Sequence, residues 1–178
     1  MHNAWPLDFN RQLSSFRAQF QALSNLIRFS LDAKTTQSSR QVGFDDPVPV
    51  RLLFVSSISV VGLYNHGRPT RDLVVVPEYQ AVNAQHTLPL GYAEAKLVCE
   101  MMLHNATQAG IVHGITTRLG QISGAIKNGY WNTSEHIPTM LQTSVQMGVL
   151  PQMQGVSKIH FNYFITSACS QFANDNMV

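Results

Sequence analysis

The chain has little of what marks the specialised classes of protein. Its two cysteines, Cys99 and Cys169, are too few for a disulfide framework, fit a reducing compartment and suggest no metal site. Charge is sparse at 12% of residues. The basic side chains (Arg11, Arg17, Arg28, Lys34, Arg40, Arg51, Arg68, Arg71 and onward) are scattered, with no run that would track a phosphate backbone, so nucleic acid is not an expected partner. The opening "MHNAWPLDFNRQ" has no basic segment followed by an apolar run, which argues against a secretory signal, and no stretch reaches the ~18 apolar residues of a membrane span. A soluble, cytoplasmic protein is expected, in which the sequons at Asn105 and Asn132 carry no meaning. The seven histidines, among them His66, His86, His104, His113 and His136, never fall into a metal-ligand spacing with carboxylates or cysteines.

What is present suits one globular domain, or part of one: 178 residues, 44% hydrophobic, net charge +2 and a pI near 8.7. Ser14 and Ser15 stand where they can cap a helix whose apolar residues Phe16, Phe20, Leu23, Leu26, Ile27 and Leu31 recur at three- and four-residue steps. The polar "KTTQSSRQVGFDDP" that follows reads as a loop. "VPVRLLFVSSISVVG" is a nearly unbroken apolar and β-branched run, the pattern of a strand covered on both faces in a parallel sheet. Leu63 to Leu90, punctuated by Gly67, Pro69, Pro77 and Pro89, reads as a long functional loop. Leu90 to Ala109 reads as a helix stopped by Gly110, "IVHGITTRLG" as a second buried strand, and "SEHIPTMLQTSVQMG" as a helix opened by Ser134 and closed by Gly148. Helix, strand, helix, strand, helix is the rhythm of an α/β sheet with crossover connections.

Within "GYAEAKLVCE" Tyr92 precedes Lys96 by one helical turn. The spacing alone also suits two ordinary residues on an amphipathic surface, with Lys96 a solvated charge. Context adds that a strand ending in "SSISVVG" and a helix beginning "GYAEAK" would bring Ser57 and Tyr92 to the carboxyl end of the sheet, where open α/β folds bind ligands. Reduction of a carbonyl by hydride leaves negative charge on oxygen, which a phenol can protonate and a serine hydroxyl orient. A nearby ammonium would lower the phenol's pKa, and Lys96 is placed to supply it.

These segments together resemble a known family. "HNAWPLDFN", "SSFRAQFQALSNLIRFS", "FVSSISVVG", "VPE", "GYAEAKLVCEMML", "TTRLGQISG" and "GYWNTSEHIPTML" are similar, in order and spacing, to the thioester reductase (male-sterility-type NAD-binding) domains of fungal non-ribosomal peptide synthetase-like and polyketide synthases. These belong to the extended short-chain dehydrogenases/reductases. The resemblance runs from about His2 to Pro151. It implies an α/β fold, a partial Rossmann-like parallel sheet with flanking helices, and a catalytic trio of Ser57, Tyr92 and Lys96. It also implies cofactor contacts from Asn3, Ala4, Ser56, Tyr92, Lys96, Arg118, Gly120, Gln121 and Ile122, and substrate contacts from Ser59, Trp131, Asn132 and Glu135. NADP is the implied cofactor, with NAD the alternative. The implied partner is an acyl-phosphopantetheinyl carrier domain, or a small-molecule carbonyl substrate, and the implied reaction reduces a carrier-bound thioester to an aldehyde or alcohol.

The departures from the family pattern set further expectations. No G-x-x-G-x-x-G occurs, so the fold is expected to lack the N-terminal Gly-rich βαβ unit that holds the pyrophosphate. Residues 1–151 would be the C-terminal part of a reductase domain with the start of its substrate-binding portion, and 152–178 a divergent tail. Two other readings stay open beside the reductase: an inactive fragment or interaction module that keeps the fold, and an extended-family enzyme acting on nucleotide sugars.

Overall fold

The computed structural model describes residues 5–6, 8–40, 50–69, 72, 74–78, 83–122, 124–125, 128–149 and 161–162, with the backbone alone at 37–40 and 161–162. His2, Asn3 and Ala4, and all of the tail from 152 except 161–162, lie outside the described residues. The chain forms two compact units, Met1–Arg118 and Leu119–Val178.

The first unit is built on a β-α-β path. Strand β1 (Arg51–Ser57) is followed by a 3-10 turn at Ile58–Val61, a loop, helix α2 (Gly91–Gln108) and strand β2 (His113–Leu119); helix α1 (Arg17–Arg40) precedes it. β1 and β2 are neighbours in one sheet. The His113 amide donates to the Val50 carbonyl at 2.8 Å, which ties the beginnings of the two strands together and makes them run the same way. β1 is buried at five successive positions, Leu52 to Ser56, as a strand covered on both faces requires. β2 departs from its expected burial: His113 and Thr116 are exposed and the rest half-buried. Among the described residues only β1 pairs with it, so its other edge is not covered by a strand.

α1 and α2 both pack on this core. Leu23, Leu52, Phe54, Cys99, Leu103, Ala106 and Val112 form its centre, with Trp5, Phe20, Leu26 and Ile27 around them. α1 corrects the sequence reading in three places. Neither Ser14 nor Ser15 caps it. Both lie in a 3-10 turn, Leu13–Phe16, where the Ser15 hydroxyl donates to the Gln12 carbonyl at 2.8 Å. The helix also continues through Arg40, across half of the supposed loop; Thr35 and Thr36 donate their hydroxyls to the carbonyls of Leu31 and Asp32, one turn back, which accommodates polar residues in a helix. Finally, Leu31 is 42% exposed while Ser30 is 3% exposed. The inward stripe runs 16, 20, 23, 27, 30, with 20 and 27 half-buried, and position 31 lies one residue off it. Ser30 tolerates burial because its hydroxyl bonds the Leu26 carbonyl at 2.9 Å.

α2 ends where the sequence indicates, at Ala109 followed by Gly110 with φ 68°. The second unit holds the short parallel pair β3 (Gln121–Ile122) and β4 (Phe161–Asn162), and helix α3 (His136–Met147). α3 opens from Glu135, not Ser134, and closes at Gly148, whose φ is 67°. The Ser134 amide donates to Asn132 Oδ1 at 3.1 Å, so this residue belongs to the turn before the helix.

Candidate active site

The site of the first unit is set by how α2 begins. A Cβ at Gly91 would overlap the Arg11 carbonyl oxygen and stand 2.5 Å from the Leu13 nitrogen, so the 11–13 backbone crosses directly over the helix start. That crossing brings aromatic rings onto the first turn. Tyr92 is met edge-on by Phe9 (centroids 5.2 Å apart), Trp5 (6.1 Å) and Phe16 (6.3 Å), and it is 7% exposed.

The Tyr92 phenol faces the Ser57 side chain, whose polar interaction with it favours the phenolate. Ser57 is the last residue of β1, extended at φ −139° and ψ 148°, and its Oγ also accepts from the Ser59 amide at 3.2 Å and the Ser59 hydroxyl at 3.0 Å. Burial pushes the phenol's pKa above its ordinary value of 10.0, and the Ser57 interaction only partly offsets this. The sequence reading had the phenol acidified by Lys96. Burial outweighs every opposing effect, and the phenol is a weaker acid than a free one.

Lys96 is 2% exposed, which overturns its reading as a solvated surface charge. Its Nζ donates to the Val55 carbonyl at 2.6 Å and lies 4.1 Å from the centroid of the Trp5 ring, 5.0 Å from Phe54 and 5.6 Å from Tyr92. Burial lowers its pKa to about 8, against the opposing pull of Cys99 and Glu100. The ammonium is thus directed to a strand carbonyl and an indole face.

One turn further along α2, the buried Glu100 accepts from the Ser56 hydroxyl at 2.5 Å and takes the Arg118 guanidinium in a fork, Nη2 to Oε2 at 2.7 Å and Nε to Oε1 at 3.1 Å. Ser56 and Arg118, expected near the cofactor, therefore have their side chains on this carboxylate. Tyr92, Lys96 and Glu100, on successive turns of α2, hold Ser57, Val55 and Ser56, the last three residues of β1.

In the second unit, Gln121 Nε2 donates to Glu135 Oε2 at 3.1 Å and to the Ile122 carbonyl at 3.1 Å, while Trp131 Nε1 donates to the same Glu135 oxygen at 3.3 Å. Two of the expected contact residues, Gln121 and Trp131, thus converge on the carboxylate of a third, Glu135. Asn132 does not join them; its Oδ1 serves the local turn. Ile122 contributes backbone in β3, and Gly120 is half-buried just before it.

Sequence reasoning passed over Glu100 and Trp5. Glu100 stands four residues after Lys96 in an otherwise apolar stretch, "KLVCEMML", and an acidic side chain there needs a buried cationic partner. Trp5 lies in the "HNAWP" segment, but nothing local to that segment places its ring against Lys96.

Residues 1–172 match the family described as male sterility protein, a family of NAD-binding domains. The chain is 39% identical over 160 residues to an adenylate-forming reductase of Aspergillus terreus, an alignment covering 86% of this chain and 14% of that protein. It is 40% identical over 158 residues to the non-reducing polyketide synthase pkdA of Emericella nidulans, covering 88% of this chain and 6% of the synthase. Among solved structures it is similar to the terminal R domain from the myxalamid PKS-NRPS biosynthetic pathway, with a TM-score of 0.63 and 22% identity, over 90% of this chain and 36% of that one. At that identity the likeness shows the fold, part of a Rossmann-type α/β domain, and the chain spans a minor share of each of these proteins.

Proposed function

We propose, from the premise that this chain belongs to the male sterility NAD-binding family of thioester reductase domains, that it carries the catalytic wall of a reductase acting on an acyl thioester. The observation behind this reading is the facing of Tyr92 and Ser57 at the carboxyl end of β1, with Lys96 one turn on. Two hydroxyls facing one another can turn together toward a third oxygen, and a substrate carbonyl oxygen is the natural acceptor for both.

The residues present fit the nicotinamide-ribose end of a dinucleotide. Lys96 has three N–H donors, of which the Val55 carbonyl takes one, and the Tyr92 phenol lies on the same face of the helix. Lys96 would hold ribose hydroxyls and Tyr92 would stand beside the nicotinamide. When bound, NADPH supplies a hydride.

As a carbonyl carbon accepts hydride its oxygen gains negative charge. Tyr92 gives that oxygen its phenolic proton and Ser57 donates a hydrogen bond to it. The resulting thiohemiacetal separates into an aldehyde and the free thiol of the carrier arm, so one hydride and one proton are consumed for each aldehyde released. A phenol held above its ordinary pKa remains protonated at neutral pH and available as donor, and Lys96, about 8, remains mostly charged. The substrate class is an acyl chain on a phosphopantetheinyl carrier.

A second reading, a fold-retaining module without catalysis, draws on the direction of Lys96, whose ammonium serves Val55 and Trp5 and not the phenol. NADPH oxidation with an acyl-pantetheine thioester decides between them. Turnover that Tyr92→Phe abolishes supports the reductase; absence of both turnover and NADPH binding at millimolar cofactor supports the silent module.

A further inference from the structure

We infer that Glu100 is a positioning residue for this site: through Ser56 and Arg118 it anchors the end of β1 so that the Ser57 hydroxyl stays on the Tyr92 phenol. Its catalytic consequence rests on the reductase reading above, but the anchoring itself does not.

The geometry carries the assignment. Glu100 is 2% exposed, and a carboxylate so placed is costly unless every oxygen is used. Here Oε1 takes the Ser56 hydroxyl and Arg118 Nε, and Oε2 takes Arg118 Nη2. Ser56 is the covalent neighbour of Ser57, and Val55 on its other side is held by Lys96. Arg118 stands near the end of β2, the neighbouring strand. One carboxylate therefore ties α2, β1 and β2 together immediately beside the catalytic hydroxyl. β1 needs such an anchor because it stops at Ser57 and turns at once into the 3-10 segment, where a strand's ladder no longer fixes side-chain direction.

Around the phenol itself stand the rings of Trp5, Phe9 and Phe16, the Ser57 hydroxyl and the Lys96 ammonium. Of these, Glu100 acts on Ser57 through Ser56 and on Lys96 through its charge, so Ser56→Ala, which keeps that charge, isolates the anchor in the phenol's titration.

The test is carried out on the full chain carrying a carbon-13 label at tyrosine Cζ, with the Tyr92 signal assigned by its loss in Tyr92→Phe. Ser57→Ala removes the interaction that favours phenolate and should move the Tyr92 titration to higher pH. If Glu100 positions Ser57, then Ser56→Ala moves it in the same direction, and in an active preparation Ser56→Ala and Glu100→Gln both lower kcat more than they raise KM for NADPH. If Ser57→Ala shifts the signal while a folded Ser56→Ala chain titrates as the wild type does, the anchor plays no part in positioning and the inference is overturned. Ser56→Ala leaves the Glu100–Arg118 pair intact, so it decides the matter even where Glu100→Gln fails to fold. A wild-type chain that does not oxidise NADPH would overturn the reductase reading alone, since the titration is read without turnover.

Discussion

Tyr92 and Ser57 face one another with their side chains although thirty-five positions apart in sequence, one on the first turn of α2 and the other at the last residue of β1. The pair is expected to act as donor and orienter on one carbonyl. Tyr92→Phe removes the proton and should lower turnover by about 10²–10⁴-fold, the usual worth of general acid catalysis. Ser57→Ala keeps the proton and should lower it less. Steady-state NADPH oxidation with an acyl-pantetheine thioester measures both; equal rates for Tyr92→Phe and wild type would remove the tyrosine from the mechanism.

Lys96 makes stability depend on pH in a definite direction. Unfolded, it keeps its proton up to its ordinary value of 10.5; folded, only to about 8. Between those values the unfolded chain binds more protons, so stability from this group rises with pH, by on the order of 3 kcal/mol across the window. Cys99, raised from 9.0 to about 12 by burial, works the other way from pH 9 upward, because there the folded chain keeps a proton the unfolded one loses. Tyr92, also raised, adds to that fall above 10. The wild type should therefore gain stability between about pH 8 and 9, and Cys99→Ala should extend the gain toward higher pH. Urea midpoints at a series of pH values would show it, and Lys96→Met should lack the rise.

Arg118 compensates the buried carboxylate of Glu100 at 2.7 Å. Arg118→Ala removes the ion pair made with that charge and should destabilise the chain by about 3–5 kcal/mol. Equilibrium denaturation tests this, and Arg118→Lys should recover part of the loss because one donor still reaches the carboxylate while the fork is gone.

Gly91 offers a test of sign. In a helix, replacing glycine by alanine ordinarily gains about 1 kcal/mol. Here the added Cβ meets the backbone of residues 11–13, with Leu13 N at 2.5 Å and Gln12 C at 2.6 Å, and backbone cannot turn aside as a side chain can. Gly91→Ala should lower the thermal midpoint, and a raised midpoint would mean that the crossing segment moves away freely.

The order of the main elements was legible because it depends on local pattern: the apolar run of β1, the glycine stops after α2 and α3, and the three- and four-residue steps of α1. The extension of α1 through Thr35 and Thr36 was not, since hydroxyls that favour turns in isolation bond back to the preceding turn once the helix is packed. At the site, the motif indicated Ser57, Tyr92 and Lys96, while Glu100, which braces them, gave only the faint signal of one acidic residue in an apolar helix. The converging of Gln121 and Trp131 on Glu135 likewise depends on contacts across 14 and 4 positions that no periodicity encodes.

The amino-acid sequence by itself determined which side chains could do chemistry and that one helix turn would separate the phenol from the ammonium, because helical spacing is a property of the backbone. Only the tertiary structure decided what those groups became. By burying Lys96 under Trp5 and against the Val55 carbonyl, and Tyr92 among three aromatic rings, the fold removed both from water. Loss of hydration, which no local pattern records, moved the phenol's pKa up and the ammonium's down.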